Sequence, residues 1–156
     1  MLRCALLICA LYHVARLRQT FADACRLCKV LSGLKKILLG LIDRGLTPCP
    51  FFEGEYTSRL KYLTELPKGK VLAWFDRVDL VKAKEMLRGI ACIGGNMPAS
   101  VLQFGPAERV REETRRLIEV AGKDGGLIMA SRSVLDEADP KLVKLWAEAT
   151  REYGVF

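Results

Sequence analysis

From residue 34 onward, the chain repeats one pattern: a short apolar run, a polar corner, and then a segment with one apolar helical face. Apolar runs bounded by turn residues predict buried strands, and apolar positions at helical spacing predict amphipathic helices. Strands are predicted over 46–52, 71–75, 90–93 and 127–130. Helices are predicted over 34–43, 57–66, 80–87, 99–103, from 105 onward, and from 140 to about 153.

Turn and capping residues bound several of these elements. Gly45 stands where a helix C-terminus favours a left-handed residue. Asp79 is a good N-cap for the helix 80–87, and Asp139 followed by Pro140 is typical of a helix start. The apolar stripes of two helices are predicted to be buried, at Leu80, Ala83 and Leu87 in one and at Val110, Leu117, Ile118 and Ala121 in the other.

Strands that alternate with helices predict a parallel sheet with helical crossovers, an α/β fold. The runs are apolar throughout, as in strands buried on both faces. Four β-α units are half of what a closed eight-stranded barrel needs. The order fits either part of such a barrel or an open doubly wound sheet, and spacing does not separate the two.

The formal net charge of +7 is unevenly placed along the 156 residues. Residues 1–33 hold five of the 25 basic groups and one of the 18 acidic groups, so they carry +4, while 34–156 is nearly balanced. Basic and acidic residues mix at helical spacing in 34–156, which indicates solvated helix faces rather than a nucleic-acid surface. No apolar run reaches the roughly 18 residues of a membrane span. We expect neither nucleic acid nor membrane as a partner.

The cysteines indicate a reducing environment. Four of the six lie in the first 33 residues, where Cys25 and Cys28 form a lone C-x-x-C without a second pair at zinc spacing. Cys49 and Cys92 lie in apolar runs and are expected to be reduced core residues. Nothing indicates a disulfide framework, so a cytoplasmic location is expected. Residues 1–33 stand apart as a basic, apolar segment of one or two helices, for example over 2–21.

Several stretches between residues 46 and 128 carry a family resemblance: LTPCPFFEG (46–54), VLAWFDRVDLVKAK (71–84), ACIGGNMP (91–98), GPAERV (105–110) and GKDGGLI (122–128). In this order they resemble the C-terminal half of the uroporphyrinogen decarboxylase and cobamide methyltransferase superfamily. The resemblance covers about 34–156 and divides the chain into an unmatched segment, 1–33, and a half-barrel, 34–156. It implies a partial (β/α)₈ TIM barrel whose four strands are the fifth to the eighth.

In such a barrel the residues just past the strand ends face the reaction, which singles out five candidates. Glu53 is a candidate general acid or metal ligand, or a structural residue. Asp76 either binds the substrate or caps the next turn. Asn96 either contacts a ligand or closes an Asx turn. Arg132 and Ser133 are candidates for substrate binding or are solvated loop residues.

The hallmark residues of both superfamily branches are replaced. The resemblance places Phe51 and Glu53 where zinc-dependent methyltransferases carry a His-x-Cys pair. It places Ser133 where the decarboxylases carry histidine and the methyltransferases carry cysteine. The single histidine, His13, lies in the unmatched segment. A histidine-based acid-base pair or a three-ligand zinc site within 34–156 is therefore not expected.

The resemblance implies a tetrapyrrole or a corrinoid protein as partner. One reaction is decarboxylation of uroporphyrinogen, which needs no metal or organic cofactor. The other is corrinoid-dependent methyl transfer, with zinc as a further cofactor, and the Phe-Phe-Glu-Gly strand end favours this chemistry. The alternative is a catalytically silent fragment that needs another half-barrel. Open sheet edges would then favour self-association.

Overall fold

A computed structural model describes the backbone of residues 11–12 and 21–154, and the side chains from residue 32 onward. The strands are β1 (Leu11–Tyr12), β2 (Phe51–Glu55), β3 (Val71–Arg77), β4 (Ala91–Met97) and β5 (Leu127–Ser131). The helices are α1 (Phe21–Ile42), a 3₁₀ helix at Thr57–Tyr62, α2 (Leu80–Leu87), α3 (Ala99–Phe104), α4 (Ala107–Ala121) and α5 (Pro140–Tyr153).

All neighbouring strands are parallel, and the sheet order is β1-β2-β3-β4-β5. Each described connection therefore places the next strand beside the previous one, always on the same side of the sheet. A doubly wound sheet would reverse its strand order at a switch point. The sequential order is that of part of a (β/α)₈ barrel, which resolves the choice left open by the spacing.

The predicted capping residues act as expected. The Asp79 side chain accepts a hydrogen bond from the backbone N–H of Lys82 at the start of α2. Asp139 accepts one from Lys141 at the start of α5, where Pro140 is the first helical residue. Both predicted apolar stripes, on α2 and α4, are buried.

The predicted strand 46–52 is wrong in its bounds, since β2 begins at Phe51. Pro48 and Pro50 have no N–H to donate to a ladder. Their carbonyls still accept hydrogen bonds from the N–H groups of Leu72 and Trp74, both at 3.1 Å. The stretch before β2 thus accepts hydrogen bonds from β3, but its two prolines donate none.

The predicted helix 57–66 is a shorter 3₁₀ helix. Leu60, Leu63 and Leu66 are all buried, and their spacing of three places them on one side of a helix with three residues per turn. The i to i+3 hydrogen bond from Leu63 N to Leu60 O, at 2.9 Å, belongs to this tighter winding.

Helix α1 begins 13 residues before the predicted start at residue 34 and crosses the predicted division at residue 33 without a break. The division into two segments stays a prediction. The helix predicted over 2–21 is wrong at residues 11–12, which form the strand β1, and most of the rest of that range, with His13, lies outside the described residues. Among the described residues, no helix is both long and apolar enough to cross a membrane.

The two faces of the sheet differ. One face packs on the helices, and its side chains lie in the main hydrophobic cluster with residues such as Leu60, Leu87 and Leu117. Alternation along the strands sends every second side chain to the opposite face. We call this second surface the open face; its members from β2 to β5 are Phe51, Glu53, Leu72, Trp74, Asp76, Cys92, Gly94, Ile128 and Ala130.

Candidate functional site

Parallel strands end at one edge of the sheet, and the candidate residues lie along this edge. The register pairs Phe51 of β2 with Trp74 of β3, and Glu53 and Asp76 follow two positions further along their strands, where the register between β2 and β3 shifts. Arg132 follows β5 directly, and its Nε donates to Asn96 O of β4. The structure thus brings two carboxylates and one guanidinium to a single edge.

Asp76 lies inside β3, which runs on to Arg77, and not past the strand end as predicted; it is held in place by the backbone of the neighbouring strand. Its Oδ2 accepts a hydrogen bond from Gly54 N at 3.0 Å, and the Nε of Arg77 lies 3.8 Å from the same oxygen. The side chain is 23% exposed. Gly54 can direct its N–H to this carboxylate because its φ of 78° lies in the left-handed region that glycine tolerates.

Glu53 lies inside β2, not beyond its end as predicted. The strand runs on to Glu55, which pairs with Arg77, and the register shifts between Phe52 and Glu55. This irregularity lies next to Glu53, as bulges often do beside functional side chains. Glu53 is half-buried.

Asn96 also lies within its strand, because β4 continues through the glycine pair to Met97. The side chain is 4% exposed and bridges the backbone of Val78 in both directions. Its Nδ2 donates to Val78 O at 3.1 Å, and its Oδ1 accepts from Val78 N at 3.3 Å. Asn96 therefore ties β4 to the loop between β3 and α2, and its φ of 69° is compatible with asparagine.

The turn after β5 is well ordered by hydrogen bonds. Arg132 N donates to Met97 O at 2.7 Å, and Ser131 Oγ donates to Ser133 O at 2.6 Å. Ser133 is exposed, and its own hydroxyl lies 3.4 Å from Val134 O. Ser133 thus shapes the turn through its carbonyl, while Arg132 stays half-buried beside Asn96.

Two aromatic residues of the open face were missed by the sequence reasoning. Phe51 and Trp74 meet edge to face, with ring centroids 5.5 Å apart. Both are half-buried and lie one level below Asp76. The alternation within VLAWF could have found Trp74, because Val71, Ala73 and Phe75 are the buried set and Trp74 falls on the other face.

Tyr56, at the end of β2, is 3% exposed, and burial raises the pKa of its hydroxyl from 10.0 to about 12, against a smaller lowering by Arg59. The pKa of the Tyr56 hydroxyl is higher in the folded than in the unfolded protein. The stabilisation that the neutral, buried hydroxyl contributes is therefore complete below pH 10 and is lost as the pH rises toward 12. We expect the free energy of unfolding to fall by up to about 1.4 kcal/mol per pH unit in this window.

Denaturant unfolding at pH 9 and pH 11 measures this effect. Between pH 9 and pH 11, the free energy of unfolding should fall less in the Tyr56→Phe variant than in wild type. In Tyr62→Phe, a half-buried control, it should fall as much as in wild type. An equal decrease in wild type and Tyr56→Phe would refute the assignment.

Cavities lie near both ends of the strands. One of about 190 Å³ lies at the opposite end of the strands and includes Gly69, Arg88 and Gly125. Lys84 donates to the carbonyls of Ala121 and Gly125 there, a structural role. The other, of about 210 Å³, adjoins the candidate edge and is lined by Ser133, among others.

The described residues do not fit a zinc ion. No three histidine, cysteine, aspartate or glutamate side chains cluster at metal-binding distance within this part of the chain. Cys49 is buried before β2 and Cys92 is half-buried near the start of β4, so neither lies at the edge that carries Glu53 and Asp76. No step through a metal is therefore derived.

A sequence profile of the family described as uroporphyrinogen decarboxylase (URO-D) matches residues 28–153. The match takes in well over half of the chain. The chain belongs to the uroporphyrinogen decarboxylase family. Strands β2 to β5 and their helices are accordingly a partial TIM barrel, the fold of this family.

Two relatives show how much of the family barrel is matched. The uroporphyrinogen decarboxylase of Chlorobium phaeobacteroides is 30% identical over 88 residues, which are 54% of this chain and 24% of the relative. That of Chlorobium phaeovibrioides is 28% identical over 79 residues, 48% of this chain and 22% of the relative. The matched stretch thus spans about a quarter of the length of these relatives.

Proposed function

We propose that this chain supplies the C-terminal half of an active site that removes carboxylate groups from the side chains of a tetrapyrrole. The observation that carries the proposal is the placement of Glu53, Asp76 and Arg132 along one edge of a barrel sheet in a decarboxylase-family chain. Decarboxylation is preferred to methyl transfer because the matched relatives are named uroporphyrinogen decarboxylases.

The chemistry of decarboxylation explains why carboxylates belong at this edge. When a pyrrole acetate arm loses CO₂, the electron pair of the breaking C–C bond must flow into the ring, which accepts it best after protonation. The ring is then cationic before the bond breaks. A fixed carboxylate stabilises that charge, and Asp76 is fixed by Gly54. Asp76 is proposed as the stabilising charge, with Glu53 beside it.

A chimera provides the test. Residues 46–154 would replace the equivalent C-terminal segment of the Chlorobium phaeobacteroides relative, which supplies the first half of the barrel. Incubation with uroporphyrinogen should yield products with fewer carboxylates, separated by chromatography after oxidation to porphyrins. A folded chimera without any such product would contradict the proposal, provided the unaltered relative is active in the same assay.

A second candidate, a silent half-barrel that pairs with another half, is favoured by the exposure of the open face. Ile128 is 46% exposed there, and Phe51 and Trp74 are half-buried. In a closed barrel this face is filled with side chains from the opposite strands. β5 has one unpaired edge, which invites a further strand. A second copy of the chain offers a complementary sheet.

We therefore expect the purified chain to form a dimer in sedimentation experiments at micromolar concentration. Ile128→Lys should shift it toward monomer, because burial of an unpaired charge in the shared interior is costly. Val81→Lys, on the exposed side of α2, is the matched control and should leave the dimer intact. A wild-type monomer that unfolds cooperatively would count against pairing.

A further inference from the structure

The turn at the end of β5 fixes a cation, Arg132, whose terminal donors have no partner in the part of the chain that the structure describes. The Nε of Arg132 donates to Asn96 O at 3.3 Å, and its backbone N donates to Met97 O. Among the described residues, Arg132 forms no ion pair, and its two terminal nitrogens have no hydrogen-bond acceptor. A half-buried guanidinium anchored through Nε presents these nitrogens as a fork.

Trp74 holds the same turn from two strands away. Its indole Nε1 donates to Ser131 O at 2.7 Å, although β4 lies between β3 and β5. The indole passes close to Gly95, where a Cβ would lie 3.0 Å from Trp74 Cδ1. Gly95 thus leaves room for the indole that supports the turn.

We infer that Arg132 binds a carboxylate carried on an arm of an aromatic heterocycle, with Trp74 as the positioning residue that holds the Arg132 turn. The ring of this ligand would pack on the Phe51–Trp74 pair. The inference rests on the proposed function, which it deepens by assigning a carboxylate subsite to Arg132.

The charges along the edge give the ligand one orientation. Glu53 and Asp76 stand at the β2 and β3 end and repel a carboxylate, but accept a ring N–H. Arg132 stands at the β5 end, about two strand spacings or roughly 10 Å away across the backbone. A planar guanidinium fork matches a carboxylate in a bidentate pair. An arm of about two bonds on a five-membered ring would reach Arg132 while the ring N–H faces Asp76.

The test uses the whole chain and two small probes, pyrrole-3-acetate and its methyl ester, titrated with detection by protein NMR. The acid should bind more tightly than the ester to wild type. Arg132→Gln should weaken binding of the acid at least tenfold and leave the ester unchanged. Arg132→Lys keeps the positive charge but not the planar guanidinium, and should weaken binding of the acid less than Arg132→Gln does. It also provides the test if Arg132→Gln does not fold.

Trp74→Phe tests the positioning role, because it keeps a ring on the open face and removes the donor to Ser131 O. The ratio of acid to ester affinity should fall severalfold, which a purely structural ring contact would not produce. Arg151→Gln removes one charge from the exposed last turn of α5 and is the control. It should leave this ratio unchanged.

Equal acid and ester affinities in wild type, or an unchanged ratio in Arg132→Gln, would overturn the inference. Inorganic phosphate that bound at Arg132 more tightly than the acid would overturn the assignment of a carboxylate. Because binding is measured without turnover, the outcome is separate from that of the chimera. An inactive chimera with an intact Arg132 effect would reject only the proposed decarboxylation.

Discussion

Replacing Gly95 by alanine is expected to lower the free energy of unfolding by more than about 3 kcal/mol. Gly95 has a φ of 97°, which side chains with a Cβ rarely adopt. A Cβ at this position would lie 2.0 Å from Phe75 O, a backbone atom of the paired strand β3. The strand pair would have to separate, and this in turn disturbs Trp74 and the candidate edge.

The adjacent glycine is a matched control for this prediction. A Cβ on Gly94 would meet its nearest neighbours, Ile128 O and Leu72 Cδ2, at 3.6 Å, an ordinary contact distance. Gly94→Ala should therefore change stability by less than about 1 kcal/mol. Thermal or denaturant unfolding of both variants compares them. Equal stability of the Gly95→Ala and Gly94→Ala proteins would show that the backbone at Gly95 is not constrained as described.

Asp76→Asn in the chimera is expected to reduce kcat about 100-fold, the effect typical of removing one fixed charge or donor from a transition state. Asparagine keeps an oxygen that can accept the hydrogen bond from Gly54, so the fold should persist while the negative charge is lost. The loss should fall on kcat more than on KM, because the cationic ring develops after the substrate has bound.

Glu55→Gln is the control for this second prediction. Glu55 ends β2 at the same edge, is exposed, and its Oε1 accepts from Thr57 N at 3.0 Å. The change removes one negative charge near the site without touching the open face, and kcat should stay within about twofold. Full activity of the Asp76→Asn chimera would remove Asp76 from the proposed chemistry. A similar loss in both variants would indicate a nonspecific effect of net charge.

Much of the fold could be predicted because local signals agreed with the tertiary structure. Asp79 and Asp139 cap their helices as expected, and the stripes of α2 and α4 are buried. The errors in the strand bounds have two causes: β2 and β4 were ended too early beside glycines, and the predicted strand 46–52 was run through Pro48 and Pro50. β4 runs through Gly94 and Gly95, because a strand between two partners can keep its hydrogen bonds where a side chain is absent.

The candidate site was predictable in part. That Glu53, Asp76 and Arg132 lie at one edge of the sheet could be predicted, because parallel strands all end at the same edge. This prediction needs only the order of strands and helices along the chain. The partners of each side chain were not predictable. Asn96 bonds to Val78 and Trp74 bonds to Ser131, pairs that are 18 and 57 residues apart in the chain. Phe51 and Trp74 were missed since apolar runs give no indication of which face is open.

The sequence by itself determined the α/β class, the alternation of strands and helices, and the capped helix starts, because these depend on local spacing and capping. Only the tertiary structure decided between a partial barrel and a doubly wound sheet, since neighbouring strands must be paired in space before their order exists. It also decided that the turn after β5 is a fixed one. The Arg132 guanidinium is oriented by the Asn96 carbonyl of β4, and its turn is held by the Trp74 indole of β3. Contacts between strands that are distant in sequence create that geometry.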